Sequence, residues 1–149
     1  MLNCLPQVDY VGFDMSPAYI NACRRHFGSR GQFHCLELTP KTVGDFGQFD
    51  IVLAIGLVHH LDDACARNLF SLAQQALRPG GRLVTLDGVF TAQQSWVVKK
   101  LLESDRGRFV RDEPGYRSLA SHVFRDVQAF VDTDLFRIPY TTLIMECTT

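Results

Sequence analysis

The chain contains, at positions 49–61, the segment Phe49-Asp50-Ile51-Val52-Leu53-Ala54-Ile55-Gly56-Leu57-Val58-His59-His60-Leu61. Residues 50–55 form an almost continuous apolar run, which is typical of a strand buried on both faces. Gly56 begins a turn region, and Asp62 or Asp63 can cap a following helix. The apolar stripe predicted for that helix comprises Cys65, Leu69, Leu72, Ala73 and Ala76. The segment therefore predicts a strand, a turn and an amphipathic helix in succession.

The same alternation of strands and helices extends over most of the chain. Further strands are predicted at residues 8–13, 32–36, 82–87, 135–138 and 141–147, and further helices after Ser16, at 93–102 and at 118–131. This order is typical of an α/β fold with a mostly parallel sheet and helices on both faces. The last two strands are too close for a crossover helix, so they predict an antiparallel C-terminal hairpin. Ligands of such sheets bind beyond the carboxyl ends of the strands.

The length of 149 residues suits a single domain covering positions 1–149. With 46% hydrophobic residues and a net charge of −1, the chain has neither the composition of a disordered tail nor the basic surface of a nucleic-acid-binding protein. No apolar run approaches the roughly 20 residues of a membrane span, and the N-terminus does not resemble a secretory signal. The five cysteines form no CxxC pair, which argues against disulfides and a thiolate metal site. We therefore expect a cytoplasmic protein with no membrane, nucleic-acid or metal partner.

Four short motifs follow one another along the chain: Phe13-Asp14-Met15-Ser16-Pro17, Phe49-Asp50-Ile51-Val52, His59-His60-Leu61 and Leu77-Arg78-Pro79-Gly80-Gly81-Arg82-Leu83. In order and spacing they resemble successive motifs of class I S-adenosylmethionine-dependent methyltransferases. The resemblance extends from about residue 2 to residue 147 and therefore covers most of the chain. It implies a Rossmann-like fold, S-adenosylmethionine as cofactor and methyl transfer as activity.

The resemblance also implies which residues contact the cofactor: Asp14, Met15, Glu37, Leu38, Ile55, Gly56 and Leu57. The Asp14 carboxylate would hold the two ribose hydroxyls, and residues 55–57 would line the methionine part. Met15 would pack on the adenine face, while Glu37 with Leu38 would face the adenine edge. Two of these residues have other interpretations, since Asp14 can cap the helix at Pro17 and Glu37 can be a solvated loop carboxylate.

The paired histidines are the candidates for a catalytic base, because an unperturbed imidazole titrates near pH 6.5. The resemblance implies that His60 lies near the methyl-transfer region, and His59 is the second candidate. Adjacent side chains need not point the same way, so we expect at most one of them to face the site. The alternative for each is a hydrogen-bonded structural histidine. Asp87, at the end of a predicted strand, can orient an acceptor or cap the helix near Gln93.

The acceptor is expected to be a small molecule. There is no basic stripe for nucleic acid, and no Asn-Pro-Pro-Tyr-like signature of base methylation follows Ile55. Four arginines lie in a polar stretch: Arg106, Arg108, Arg111 and Arg117. They can bind an anionic acceptor or form a solvated charged loop.

The chain departs from the family pattern at its N-terminal end. Family members begin with a strand that runs into a GxGxG loop, and no GxGxG occurs in these 149 residues. Without that strand, the strands at 8–13 and 50–55 lack their shared neighbour. A missing N-terminal segment, a loss of cofactor binding or a strand supplied by a partner chain would each account for this. We expect that these 149 residues bind the cofactor weakly or not at all. The alternative function is that of a non-catalytic fragment or remnant of the fold acting through a partner chain.

Overall fold

The computed structural model describes residues 8–104 and 107–149. The described residues divide into two compact units, one up to Thr42 and one from Val43 to Thr149. Each unit has its own sheet, and the described part of the first unit contains one α-helix.

The first unit contains a βαβ motif. It comprises β1 (Val11–Asp14), α1 (Pro17–Phe27) and β2 (Gln32–Cys35), with a short 3₁₀ turn at Gly28–Arg30. The strands β1 and β2 pair in parallel along their whole length. As predicted, α1 begins after Ser16, whose hydroxyl accepts a hydrogen bond from the Tyr19 N–H. Ile20 and Phe33 are buried between the helix and the strand pair.

The second unit contains the remaining elements of the described residues. They are β3 (Phe49–Ile55), α2 (Asp63–Ala76), β4 (Leu77–Phe90), α3 (Trp96–Ser104), β5 (Arg111–Asp112), α4 (Glu113–Ala120), β6 (Asp126–Asp132) and β7 (Thr142–Thr148), with 3₁₀ turns at Val43–Phe46 and Val58–His60. The strand order is β3-β4-β7-β6, and β5 pairs with the end of β4. β3 and β5 run parallel to β4, whereas β7 is antiparallel to both β4 and β6.

This architecture confirms the α/β class and the antiparallel hairpin at the C-terminus. The first strand of that hairpin was predicted wrongly at 135–138, since it is β6 at Asp126–Asp132. The helix predicted at 118–131 is α4, and it lies earlier, at Glu113–Ala120. It begins earlier because the carboxylate of Asp112 accepts the Gly115 N–H (2.9 Å) and caps its first turn.

The core of the second unit lies where α2 and α4 pack against the sheet. Phe70, Leu83, Tyr116 and Met145 are among its fully buried side chains. β3 is an end strand of this sheet, and the prediction that both of its faces are buried was wrong. Ala54 is buried, whereas the side chains of Ile51, Leu53 and Ile55 are 54%, 39% and 52% exposed.

Helix length and composition bear on membrane insertion. In the part of the chain that the structure describes, no helix is both long and apolar enough for a bilayer crossing.

Candidate active site

In the second unit, the polar residues that the sequence predicts as candidate site residues lie near the carboxyl ends of β3 and β4. β3 ends at Ile55, and the chain turns at Gly56, whose N–H donates to the Leu86 carbonyl of β4 (2.7 Å). Gly56 has a φ of 65°, a conformation that side chains disfavour, so glycine suits this turn. The 3₁₀ turn Val58–His60 follows at once and places the two histidines beside the end of β4.

His59 and Asp87 form a buried pair at this position. The Nδ1 atom of His59 lies 2.7 Å from Oδ1 of Asp87, and the His59 backbone N–H donates to the same oxygen (3.1 Å). The two residues are only 6% and 2% exposed. The carboxylate therefore favours the tautomer with its proton on Nδ1, and it fixes the ring so that Nε2 points away from Asp87.

Asp87 has a second oxygen with a different environment. Oδ2 is buried and has no hydrogen-bond donor among the described residues. A buried carboxylate oxygen normally has a donor, because leaving it without one is costly. Oδ2 of Asp87 can therefore accept a hydrogen bond from water or from a ligand.

His60 lies in a different environment. It is exposed, and its ring packs beside that of His59 with 4.2 Å between the ring centroids. The two histidines predicted as candidate bases thus differ in burial. Sequence could not distinguish them, because the residue that pairs with His59 lies 28 positions further along the chain.

The segment 107–111 packs against the histidine turn. The Phe109 N–H donates to the His59 carbonyl (3.0 Å), and a Cβ built at Gly107 would overlap the His59 ring. Arg111 reaches the same turn with its guanidinium. The sequence predicts a polar loop here, and no local pattern indicates the contact of this stretch with His59.

Tyr116 supports the end of β4 from the core side. Its buried hydroxyl donates to the Gly88 carbonyl (2.9 Å). Burial, together with the nearby Asp87 carboxylate, raises the pKa of Tyr116 above its usual value near 10. The phenol is therefore a neutral donor at physiological pH.

A cavity of about 620 Å³ lies next to the carboxyl end of β4. It is lined by the residues that follow β4 and by the connection between β6 and β7, including Thr91, Gln94, Ser95, Tyr140 and Thr141. None of the described side chains that line it is charged. Such a lining suits a neutral molecule that can form hydrogen bonds.

In the first unit, the predicted cofactor-binding residues lie at the carboxyl ends of β1 and β2. Asp14 ends β1 and is exposed, and its Oδ1 accepts the Ser16 N–H (2.7 Å). Met15 follows with 69% of its side chain exposed. Glu37 is exposed and Leu38 half-buried in the segment after β2. The side chains of Asp14 and Met15 are therefore both accessible to solvent.

Residues 1–83 match a family described as methyltransferase domain, which is more than half of the chain. The chain belongs to this family. The family predicted from the four sequence motifs is therefore confirmed. A comparison with curated proteins finds no match.

Solved structures of methyltransferases share the fold of this methyltransferase domain. An O-methyltransferase family protein from Burkholderia thailandensis matches at 19% identity with a TM-score of 0.71, over 99% of this chain and 46% of that one. Human N-acetylserotonin methyltransferase, in complex with SAM, matches at 18% identity with a TM-score of 0.72, over 99% and 43%. An O-methyltransferase family 2 protein from Planctomyces limnophilus, in complex with apigenin, matches at 19% identity with a TM-score of 0.69, over 99% and 46%. The chain spans less than half the length of each of these three proteins.

The methyltransferase domain thus carries its predicted site residues in two groups. Asp14, Met15, Glu37 and Leu38 lie at one end of the first unit's strand pair, and Ile55, Gly56 and Leu57 lie in the second unit beside the His59–Asp87 pair. In the described residues, no group of three or more His, Cys, Asp and Glu side chains is arranged to hold a metal ion.

Proposed function

We propose that this chain is a single methyltransferase domain that transfers a methyl group from S-adenosylmethionine to a small neutral acceptor, with His59 as general base. The observation that carries the proposal is the buried His59–Asp87 pair at the carboxyl end of β4. Family membership supports S-adenosylmethionine as the cofactor.

Methyl transfer is an in-line displacement at carbon. S-adenosylmethionine supplies the methyl group on a positively charged sulfur. The protein has to align the acceptor atom with that methyl group and exclude water. A general base contributes when the acceptor atom must lose a proton, as a hydroxyl does.

His59 is suited to that task by its partner. In this proposal the neutral imidazole carries its proton on Nδ1, beside Asp87, and would take the proton of the acceptor at Nε2. The resulting imidazolium is stabilised by the Asp87 carboxylate on its other side. The acceptor atom would gain the methyl group as the methyl–sulfur bond of the cofactor breaks, which leaves a neutral thioether, and its proton would pass to Nε2 of His59.

The acceptor is proposed to bind in the uncharged cavity next to β4. Its hydroxyl and amide side chains, such as Thr91, Gln94 and Ser95, favour a neutral hydrogen-bonding molecule over an anion or a cation. The human protein of similar fold is named for the small molecule N-acetylserotonin, and the one from Planctomyces limnophilus is in complex with apigenin. This supports a small-molecule acceptor here.

The cofactor is proposed to be held by the residues that the family resemblance implied. Asp14 would accept hydrogen bonds from the ribose hydroxyls, and Met15, with Glu37 and Leu38, would contact the adenine. In the second unit, the exposed residues 55–57 would line the methionine part. The exposed carboxylate of Asp14 and the exposed apolar side chain of Met15 are consistent with these roles.

The experiment that tests the proposal measures transfer of a radiolabelled methyl group from S-adenosylmethionine to a panel of small phenols, alcohols and amines. The cofactor is supplied at millimolar concentration so that weak binding does not limit the rate. We expect His59→Ala to lower the rate of methyl transfer about 100-fold or more. Asp87→Asn should lower this rate as well.

His60→Ala serves as the comparison. We expect it to lower the rate much less than His59→Ala, because His60 is exposed and lies outside the pair with Asp87. The opposite ranking would assign the role of base to His60. No transfer to any member of the panel by the folded wild-type chain would contradict the proposed activity.

A further inference from the structure

Arg111 lies at the start of β5, and its guanidinium contacts the turn that carries His59. Nη1 donates to the Val58 carbonyl (3.3 Å), and Nη2 donates to the Leu61 carbonyl (2.8 Å). These two carbonyls flank the His59–His60 pair in sequence. The Arg111 side chain is only 13% exposed, so solvent competes little for these hydrogen bonds.

The other N–H groups of the Arg111 side chain also donate hydrogen bonds. Nη1 donates to the Phe109 carbonyl (2.8 Å), and Nε and Nη2 both donate to Oδ1 of Asp63 (3.1 and 2.7 Å). The five N–H groups of an arginine side chain thus match five hydrogen bonds. The guanidinium carbon also lies 5.7 Å from the centre of the Tyr116 ring, within the range of a cation–π contact.

For Arg111, this arrangement excludes both interpretations made from the sequence. Arg111 has no N–H group left to bind an anionic acceptor, and it is not part of a solvated loop. Its bonds instead join the turn 58–61, the segment 109–111 and the start of α2 at Asp63. The segment 109–111 is itself bonded to His59, because the Phe109 N–H donates to the His59 carbonyl.

We propose that Arg111 is a positioning residue for His59, an inference that rests on the proposed function. Asp87 fixes the imidazole ring, and Arg111 fixes the backbone that carries it, so that Nε2 is held in one place. Lysine cannot replace it, because a single ammonium group cannot reach carbonyls on both sides of the turn together with Asp63. A misplacement of a reacting group by about 1 Å can lower a rate about 100-fold.

The test uses proton NMR of the whole chain, which reports on His59 without any acceptor. The proton that bridges Nδ1 and Asp87 gives a downfield signal, assigned by its loss in His59→Gln and Asp87→Asn. We expect Arg111→Lys to shift or abolish this signal while the circular dichroism spectrum stays that of the wild type. Asp63→Asn, which removes the charge but keeps an oxygen acceptor, should give a smaller shift.

Arg67→Lys is the matched control, since Arg67 is an exposed arginine on α2. We expect it to leave the signal unchanged. In the methyl-transfer assay, Arg111→Lys should lower kcat about 100-fold while KM for the cofactor changes by less than about twofold. A wild-type Nδ1 signal in both Arg111→Lys and Asp63→Asn would overturn the proposal. If Arg111→Lys shifts the signal but the wild-type chain transfers no methyl group, the proposed function is refuted and the positioning role of Arg111 stands.

Discussion

Gly107 is required by its contact with His59. Its Cα lies so close to the imidazole that an added Cβ would overlap the ring. The ring has little freedom to move, because Asp87 holds its Nδ1 atom and the turn holds its backbone. A side chain at position 107 therefore has to displace either the ring or the segment that covers it.

We predict that Gly107→Ala shifts His59 and lowers the rate of methyl transfer about 100-fold. The downfield Nδ1 proton signal of His59 provides the measurement, with the transfer assay as a second one. Gly44→Ala is the control, since nothing lies within 4 Å of a Cβ at Gly44. An unchanged Nδ1 signal in Gly107→Ala would show that the segment yields instead of the ring.

The sequence predicts candidate residues for this site but not their arrangement in the fold. His59 and His60, which follow a predicted strand, are candidates for the base, and Asp87, which ends another, is a candidate to orient an acceptor. Which histidine is buried depends on the distance to Asp87 in the folded chain. The contacts of Gly107 and Arg111 likewise join positions about 50 residues apart, and no local pattern reports them.

At the scale of elements, strands and helices with strong local signals were predicted well. The helix α1 has both a capping serine and Pro17, and it begins where these residues place it. The helix α2 begins after Asp62, as predicted, although its buried face is shifted from the expected stripe. Ala66 and Phe70 are buried, whereas Cys65 is exposed.

The hairpin at the C-terminus shows why the remaining elements were harder to predict. Val123, Val127 and Phe130 have helical spacing, but Val127 and Ala129 also alternate with exposed neighbours as a strand requires. Seven residues of β6 pair with β7, which decides in favour of the strand. That pairing is a tertiary effect, and a window of sequence does not contain it.

The two faces of β3 differ in burial, and this predicts opposite responses to substitution. We predict that Ala54→Leu, on the buried face, lowers the free energy of unfolding by about 1–3 kcal/mol through overpacking. Ile51→Thr, on the exposed face, should change it by less than about 0.5 kcal/mol. Urea unfolding of both variants measures this. A larger loss for Ile51→Thr than for Ala54→Leu would mean that the outer face of β3 is covered in solution.

For the whole molecule, the absence of a GxGxG sequence predicts weak cofactor binding. Such a loop lets the backbone approach a nucleotide closely, which a residue with a side chain prevents. We expect calorimetric titration of the 149-residue chain with S-adenosylmethionine to give a dissociation constant well above about 1 μM. Micromolar affinity would show that other residues replace the loop.

Two buried acidic groups predict loss of stability at alkaline pH. Burial raises the pKa of Cys147 from 9.0 to about 12, and burial also raises the pKa of Tyr116 above 10.0. Because both groups stay protonated in the folded chain and ionise more readily in the unfolded chain, their stabilisation is complete below about pH 9 and declines above it.

The free energy of unfolding should therefore fall as the pH rises from 9 to 12, with each group contributing up to about 1.4 kcal/mol per pH unit. Urea unfolding at several pH values measures this decline. Tyr116→Phe should lower stability at pH 7 by about 1 kcal/mol, because its hydrogen bond to Gly88 is lost, and it should make the decline less steep above pH 10. A constant stability from pH 8 to pH 11 would contradict this expectation.

The most direct test of the whole account is a crystal structure of the chain grown with millimolar S-adenosylhomocysteine. We predict that the Asp14 carboxylate accepts hydrogen bonds from both ribose hydroxyls, with the homocysteine part beside residues 55–57. A ribose bound away from Asp14, or a homocysteine part bound away from residues 55–57, would contradict the account.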